Sequence, residues 1–128
     1  TEFWIYDING NVIGGSVINK SKIRVGEKFI LIDSITGNKY VLDKKHIHVT
    51  ALDEYNKTIW RTDPFTASYM PFYRTTNPII ISFAFGRSRF RIGDEISEGE
   101  KVLDITFNST QFGVIDLETG KFYWLGQD

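Results

Sequence analysis

Three arginines, Arg87, Arg89 and Arg91, occupy alternate positions in the C-terminal half of the chain. On an extended strand, alternate side chains point to one face and lie roughly 7 Å apart, close to the spacing of phosphates along a nucleic-acid backbone. Phe90 lies among them and would offer a stacking surface. The pattern indicates a nucleic-acid or small-ligand site, and its ordinary alternative is a solvated or charge-guarded strand edge.

Aromatic side chains are concentrated in the stretch that contains all three prolines, at positions 64, 71 and 78. Each proline removes a backbone donor, so this stretch cannot be a central strand and is predicted to be a crossover loop over residues 63–78. Aromatic residues and Met are enriched at the centres of protein interfaces. The candidate partner-binding residues are therefore Phe65, Tyr69, Met70, Phe72 and Tyr73. The alternative is that they pack over an open end of the fold.

Two histidines, His46 and His48, are the weak candidates for metal ligands. Alternate residues on a strand face one way, and Asp43 or Asp53 would have to supply a third ligand. Two ligands alone do not make a site, so the favoured interpretation is a pair of polar residues facing water. No metal and no cofactor are expected.

The sequence contains no recognisable catalytic motif. It has no cysteine, no nucleophile-elbow pattern and no glycine-rich phosphate loop. Any nucleophile-base pair built on histidine would have to use one of the two histidines. The chain is therefore expected not to be an enzyme, and a hydrolase of unrecognised type is kept as the second alternative.

Length and composition favour one all-β domain. The chain has 128 residues, 15% aromatic residues and a formal net charge of −1, which does not predict a general electrostatic affinity for nucleic acid or membranes. No apolar run approaches the ~20 residues that span a bilayer, so no membrane span is expected. The composition does not assign a compartment.

Short apolar runs separated by turn residues predict an all-β fold. We expect a single antiparallel β-sandwich or partly open β-barrel of about 8–10 short strands. Residues 1–62 would form N-terminal hairpins, 63–78 the crossover loop and 79–128 C-terminal hairpins. A change of parity after Phe85 predicts a β-bulge or a tight turn at Gly86-Arg87. The expected core residues are Trp4, Ile30, Ile32, Val49, Trp60, Ile79, Ile81, Phe83, Ile105, Val114 and Trp124.

One pattern occurs twice: "FILIDSITGNKYVLD" from Phe29 and "FGVIDLETGKFYWLG" from Phe112. The shared Asp-x-x-Thr-Gly suits the closure of a β-hairpin, because the Asp accepts bonds from nearby amides and the Gly adopts positive φ. Shared turn chemistry is the favoured explanation, and an internal duplication is the alternative.

The stretch "FRIGDEISEGEKVLDITFNSTQFGVIDLETGKFYWL", residues 90–125, resembles small β-domains of periplasmic components of type II secretion and type IV pilus systems. The resemblance covers under a third of the chain and would imply a docking module for secretins. The expected function is a protein-interaction or structural module of a phage, secretion or cell-surface assembly. It would bind a protein partner or a second copy of itself, and a small-ligand or nucleic-acid binder that uses the arginines is the alternative.

Overall fold

The computed structural model describes residues 3–6, 12–14 and 25–128. In this part of the chain one short helix interrupts a series of strands. The elements are β1 (Phe3–Tyr6), β2 (Val12–Gly14), β3 (Lys28–Ile32), β4 (Lys39–Leu42), β5 (Val49–Leu52), β6 (Thr58–Thr62), α1 (Pro64–Ala67), β7 (Ile80–Arg87), β8 (Lys101–Phe107), β9 (Gln111–Asp116) and β10 (Phe122–Gln127).

Two sheets form the fold, and the predicted all-β class is confirmed. The N-terminal sheet has the order β2-β1-β3-β4-β5-β6, and the C-terminal sheet has the order β10-β9-β8-β7. Neighbouring strands are antiparallel except β1 and β3, which pair in parallel. Within the described residues the arrangement is a sandwich, and neither sheet closes into a barrel. The strands β7 to β10 come after residues 63–78 and form a separate sheet.

The core lies between the two sheets, and each sheet contributes the apolar side chains of one face. Phe65 and Met70 of the connecting segment complete it. Val49, Phe83 and Ile105 are fully buried here, as predicted, and Trp60 packs at the rim. The remaining buried members are Phe29, Leu31, Tyr40, Leu42, Ala51, Ile80, Leu103, Phe107, Ile115 and Phe122.

The other core predictions fail for identifiable reasons. Ile30 and Ile32 are only half-buried, because β3 is apolar on both faces and alternation alone cannot select the inner one. Ile79 and Ile81 are likewise half-buried. The register shift in β7 lies between Ile80 and Ser82, rather than at Gly86-Arg87, and it brings Ile80 and Phe83 to the same side.

Two of the predicted core residues lie on the outer side of the C-terminal sheet or at its edge. Val114 is buried, but in a second cluster with Val102 that is covered by Ile96 of residues 88–100, which we call the excursion. Trp124 is 43% exposed at a register shift in the edge strand β10. The side chain of Trp4 lies outside the described residues.

The repeated Asp-x-x-Thr-Gly pattern forms the same turn twice. The carboxylates of Asp33 and Asp116 accept from the amide two residues on, at 2.8 and 2.9 Å. The amides of Gly37 and Gly120 donate to the carbonyls of those aspartates, and both glycines have φ of 78°. The two turns close the β3–β4 and β9–β10 hairpins, so shared turn chemistry is sufficient to explain the repeat.

The same device recurs along the N-terminal sheet with a spacing of ten residues. Asp33, Asp43, Asp53 and Asp63 each follow directly on a strand, β3 to β6 in turn. Each carboxylate accepts a hydrogen bond from a backbone amide of the segment that follows. Strands and turns of similar lengths therefore alternate from β3 to β6. The series ends where Asp63 caps α1.

The two matched glycines differ in their surroundings, which gives a testable difference in stability. A methyl group on Gly120 would lie 2.5 Å from Cδ2 of Trp60, whereas one on Gly37 would meet only Glu54, whose Cβ is nearest at 3.0 Å. Both alanine variants incur the positive-φ strain. We expect Gly120→Ala to be more destabilising than Gly37→Ala by about 1–3 kcal/mol, because it also overpacks the Trp60 ring. Equal midpoints in urea unfolding would contradict this packing.

Candidate functional site

The crossover segment, residues 63–78, is held firmly against the end of the sandwich. The side chain of Gln111 donates to the carbonyl of Pro71 at 3.0 Å, and the hydroxyl of Tyr73 donates to the backbone oxygen of Asp128 at 3.0 Å. One helical turn, α1, begins after the N-cap Asp63. These bonds give a surface segment a defined conformation, which is a prerequisite for presenting a binding surface at low entropic cost.

Of the five predicted partner-binding residues, two anchor the segment, two are exposed, and the fifth, Tyr73, is half-buried. Phe65 and Met70 are buried in the core, so they fix the segment rather than offer it to a partner. Phe72 is 64% exposed and stacks on Phe65 with ring centroids 5.8 Å apart. Phe65 in turn contacts Phe107 edge-to-face at 5.5 Å. An aromatic series therefore runs from the surface into the core.

Tyr69 is the most exposed aromatic side chain of the described residues, at 94%. Its φ of 52° is unusual for a bulky residue and is held by bonds around α1, including Tyr69 N–H to the carbonyl of Thr66 at 3.1 Å. Strain of this kind persists only where surrounding structure imposes it, and it often accompanies functional sites. The backbone thus directs a large aromatic ring into solvent.

Tyr73 is half-buried, and its ring faces the guanidinium of Arg74, which lies 5.1 Å from the ring centroid.

Beside Phe72 the crossover segment borders a cleft of about 300 Å³. Its walls come from α1, from the return of the segment towards β7 and from the turn before β5; they include Asp63, Thr66, Asn77, Pro78 and Ile79. We call Tyr69, Phe72 and this cleft the crossover surface.

The predicted arginine stripe does not form. β7 ends at Arg87, so Arg89 and Arg91 lie in the excursion and not on the same strand face. Arg87 donates to the carbonyl of Gly99 at 3.0 Å, and Arg91 pairs with the exposed carboxylate of Asp94 at 2.6 Å. Of these three arginines, Arg89 alone forms no hydrogen bond or ion pair with the described residues.

Arg89 borders a second concavity, which we call the face groove. It lies between the excursion and the outer face of the C-terminal sheet and has a volume of about 360 Å³. Its apolar lining includes the exposed side chains of Phe90, Phe112 and Leu125. Sequence reasoning named Phe90 but missed Phe112 and Leu125, because these become neighbours only through the pairing of β9 with β10.

Asp104 lies on the floor of the face groove, and sequence reasoning missed it. Its carboxylate rests against Gly86, where any side chain would collide with it. Desolvation by the surrounding sheet raises the pKa of Asp104, and the nearby charge of Arg89 lowers it in part. Its signal in the sequence is that it is the one charged residue inside the largely apolar run "VLDITF".

His46 is buried rather than solvent-facing, because residues 43–48 form a turn and β5 begins only at Val49. Its Nδ1 lies 3.0 Å from the carbonyl oxygen of Ile80, and its Nε2 lies 2.7 Å from that of Glu27. The ring thereby links the two sheets. Residues 25–128 and the two short described strands contain no group of three His, Asp or Glu side chains placed to hold a metal ion.

His48 is half-exposed and contacts Asp43, with Nδ1 3.1 Å from Oδ2. Partial burial opposes the ionisation of Asp43, but the amides of Ile47 and His48 and the His48 ring together outweigh it and hold its pKa below the usual 3.8. Because the folded pKa is depressed, the ionised carboxylate stabilises the fold above the unfolded pKa. This contribution is lost as the pH falls through the folded pKa.

The pH dependence of unfolding tests this role of Asp43. We expect the Asp43→Asn variant to be less stable than the wild-type protein at neutral pH, and we expect the difference to shrink as the pH falls below about 3.8. Urea unfolding of both proteins from neutral pH into the acid range measures the difference directly. Stability curves that run parallel over this whole range would contradict the assignment.

No helix in the described ranges is long and apolar enough to cross a bilayer. Comparison with family models, curated proteins and solved structures finds no match to this chain. Function must therefore be argued from the two surfaces themselves.

Proposed function

We propose that this protein is a non-enzymatic protein-interaction module and that its crossover surface binds a protein partner. The observation that carries the proposal is the exposure of Tyr69 and Phe72 on a segment that is hydrogen-bonded and packed into the core. An aromatic ring that is already held in one orientation loses little entropy on binding, so its burial contributes efficiently to affinity. Tyr is among the residues most enriched at energetic hot spots.

The chemistry of the crossover surface favours a protein over a polyanion. The cleft beside Phe72 is lined by apolar and neutral polar side chains, and its charged lining residue, Asp63, is acidic. A nucleic acid would meet little positive charge here, whereas an apolar side chain of a partner fits a cleft of this size, whose lining includes the ring of Phe72. Both histidines are already engaged in contacts within the fold, which supports the non-enzymatic part of the proposal.

Affinity capture with matched variants tests the proposal. The wild-type protein, a Tyr69→Ser/Phe72→Ser double variant and a Tyr55→Ser control are immobilised, and retained proteins are quantified by mass spectrometry. Tyr55 is also exposed, but it lies in the β5–β6 turn at the opposite end of β6. We expect the double variant to lose a partner that the other two retain, with an affinity loss of roughly 30-fold or more.

Light scattering of the same three proteins identifies the case in which the partner is a second copy. Dimers that dissociate only in the double variant would assign the crossover surface to self-association. A partner retained equally by all three proteins would refute the proposal. Circular dichroism of each variant checks that the fold is intact. We expect an unchanged spectrum, because Tyr55, Tyr69 and Phe72 are all exposed.

A further inference from the structure

The face groove is lined by three charged side chains, Arg87, Arg89 and Asp104. Arg89 and Asp104 line the same groove and influence each other electrostatically, yet neither forms a hydrogen bond or ion pair with a described residue. Their neighbours Arg87 and Arg91, by contrast, have partners of their own. The apolar part of the lining includes Phe90, Phe112 and Leu125, and Ser88 and Thr106 add polar side chains.

Asp104 is exposed as a residue, but its carboxylate rests against Gly86 and is partly desolvated there. This desolvation raises the pKa of its carboxyl, so the ionised form is less well solvated in the folded protein than in water. Gly86 provides the space in which this carboxylate lies. A charged group that is partly desolvated, lies in a groove and forms no hydrogen bond or ion pair is a candidate for ligand recognition on physical grounds.

From this arrangement we infer that the face groove binds a small zwitterionic ligand with an apolar side chain, of the class of the apolar α-amino acids. The ligand's carboxylate accepts hydrogen bonds from the guanidinium of Arg89, and its ammonium group donates to Asp104. Its side chain packs against Phe90, Phe112 and Leu125. The volume of about 360 Å³ lies at the lower end of the range for small-molecule sites, as a ligand of one residue requires.

The charges near the groove argue against ligands that carry one sign only. Residues 87–104 contain four basic and five acidic side chains, so a polyanion finds no net attraction there. Asp104 would repel a phosphate placed on the floor of the groove, and Arg89 would repel a simple cation. A ligand that carries one charge of each sign satisfies both residues.

Titration followed by ¹⁵N–¹H NMR tests the inference with the full chain. The probes are L-phenylalanine and L-leucine, compared with N-acetyl-L-phenylalanine, which lacks the ammonium group, with L-phenylalaninamide, which lacks the carboxylate, and with glycine, which lacks the apolar side chain. We expect saturable shifts at the residues of the face groove with phenylalanine or leucine. Each comparison compound should bind about tenfold more weakly or worse, because it leaves one groove element unpaired.

Three variants define the determinants. Arg89→Gln and Asp104→Asn should each weaken binding by about tenfold or more, and the matched control Arg91→Gln should leave it unchanged, because Arg91 points its guanidinium at Asp94 outside the groove. All three changes are at exposed residues, so the variants are expected to fold.

Two results would overturn the inference. One is the absence of a saturable response to millimolar phenylalanine and leucine in the wild-type protein. The other is undiminished binding of a further probe, N-acetyl-L-phenylalaninamide, which carries neither charge. Such binding would identify the groove as a site for an internal peptide segment instead. Neither result bears on the crossover surface, which lies at another part of the fold and is tested separately.

Discussion

Replacing Phe107 by alanine is expected to lower the free energy of unfolding by about 3–5 kcal/mol. Phe107 is buried at the end of β8, and its ring contacts Phe65 on one side and Phe122 on the other, with centroids 5.5 and 5.7 Å apart. The truncation therefore removes apolar burial and two aromatic contacts, and it leaves a cavity beneath the crossover segment.

Phe90→Ala is the matched control for Phe107→Ala, because it deletes the same side chain from an exposed position in the excursion. We expect it to change stability by less than about 1 kcal/mol. Urea or thermal unfolding of both variants measures the two losses. Similar losses at the two positions would mean that Phe107 is not the link between the crossover segment and the core.

Replacing His46 by alanine is expected to cost about 2–4 kcal/mol of stability. The imidazole is fully buried, its two nitrogens lie against backbone oxygens of Ile80 and Glu27, and its ring meets Phe29 edge-to-face at 5.9 Å. Alanine would leave a buried cavity and remove the imidazole hydrogen-bond donor that lies beside these carbonyl groups. Both effects act where the 43–48 turn joins the beginnings of β3 and β7.

His48→Ala provides the comparison for His46→Ala, since the two residues were indistinguishable as an alternating pair in the sequence. His48 is half-exposed, and its contact with Asp43 lies at the surface, so a loss below about 1 kcal/mol is expected. If addition of zinc stabilised the wild-type protein in the same unfolding experiment and not the His46→Ala variant, the structural role assigned to His46 would be wrong.

Turn chemistry was the most reliable guide from sequence to fold. The Asp-Gly corners at Asp33 and Asp116 were predicted from the ability of Asp to accept local amide bonds and of Gly to adopt positive φ, and both close hairpins. These preferences act within a few residues, so they are visible without tertiary information. The ten-residue spacing from Asp33 to Asp63 carries the same information, because it marks the ends of β3 to β6.

Alternation was a weaker guide because several strands are apolar on both faces. In β3 the residues Phe29 to Ile32 are all apolar, so the inner face depends on which side meets the other sheet. In the C-terminal sheet the excursion buries Val102 and Val114 on the outer face, and a sequence pattern cannot distinguish this second cluster from the main core.

The site predictions failed where they assumed that a strand continues. Arg89 and Arg91 were placed on a strand that ends at Arg87, and His46 was placed on a strand that begins at Val49. The aromatic crossover segment could be located from its prolines, but the division between buried Phe65 and exposed Tyr69 depends on where α1 turns the chain. Such divisions arise from tertiary packing, which local preference does not encode.

Site-specific photo-crosslinking tests the role of the crossover surface most directly. The photo-reactive p-benzoylphenylalanine is introduced in place of Tyr69 in one protein and in place of Tyr55 in another, and each is irradiated with the protein partner identified by affinity capture. We predict a covalent adduct from position 69, competed by unlabelled wild-type protein but not by the Tyr69→Ser/Phe72→Ser variant, and no adduct from position 55. Equal crosslinking from both positions, or none from position 69 while the partner remains bound, would contradict the account.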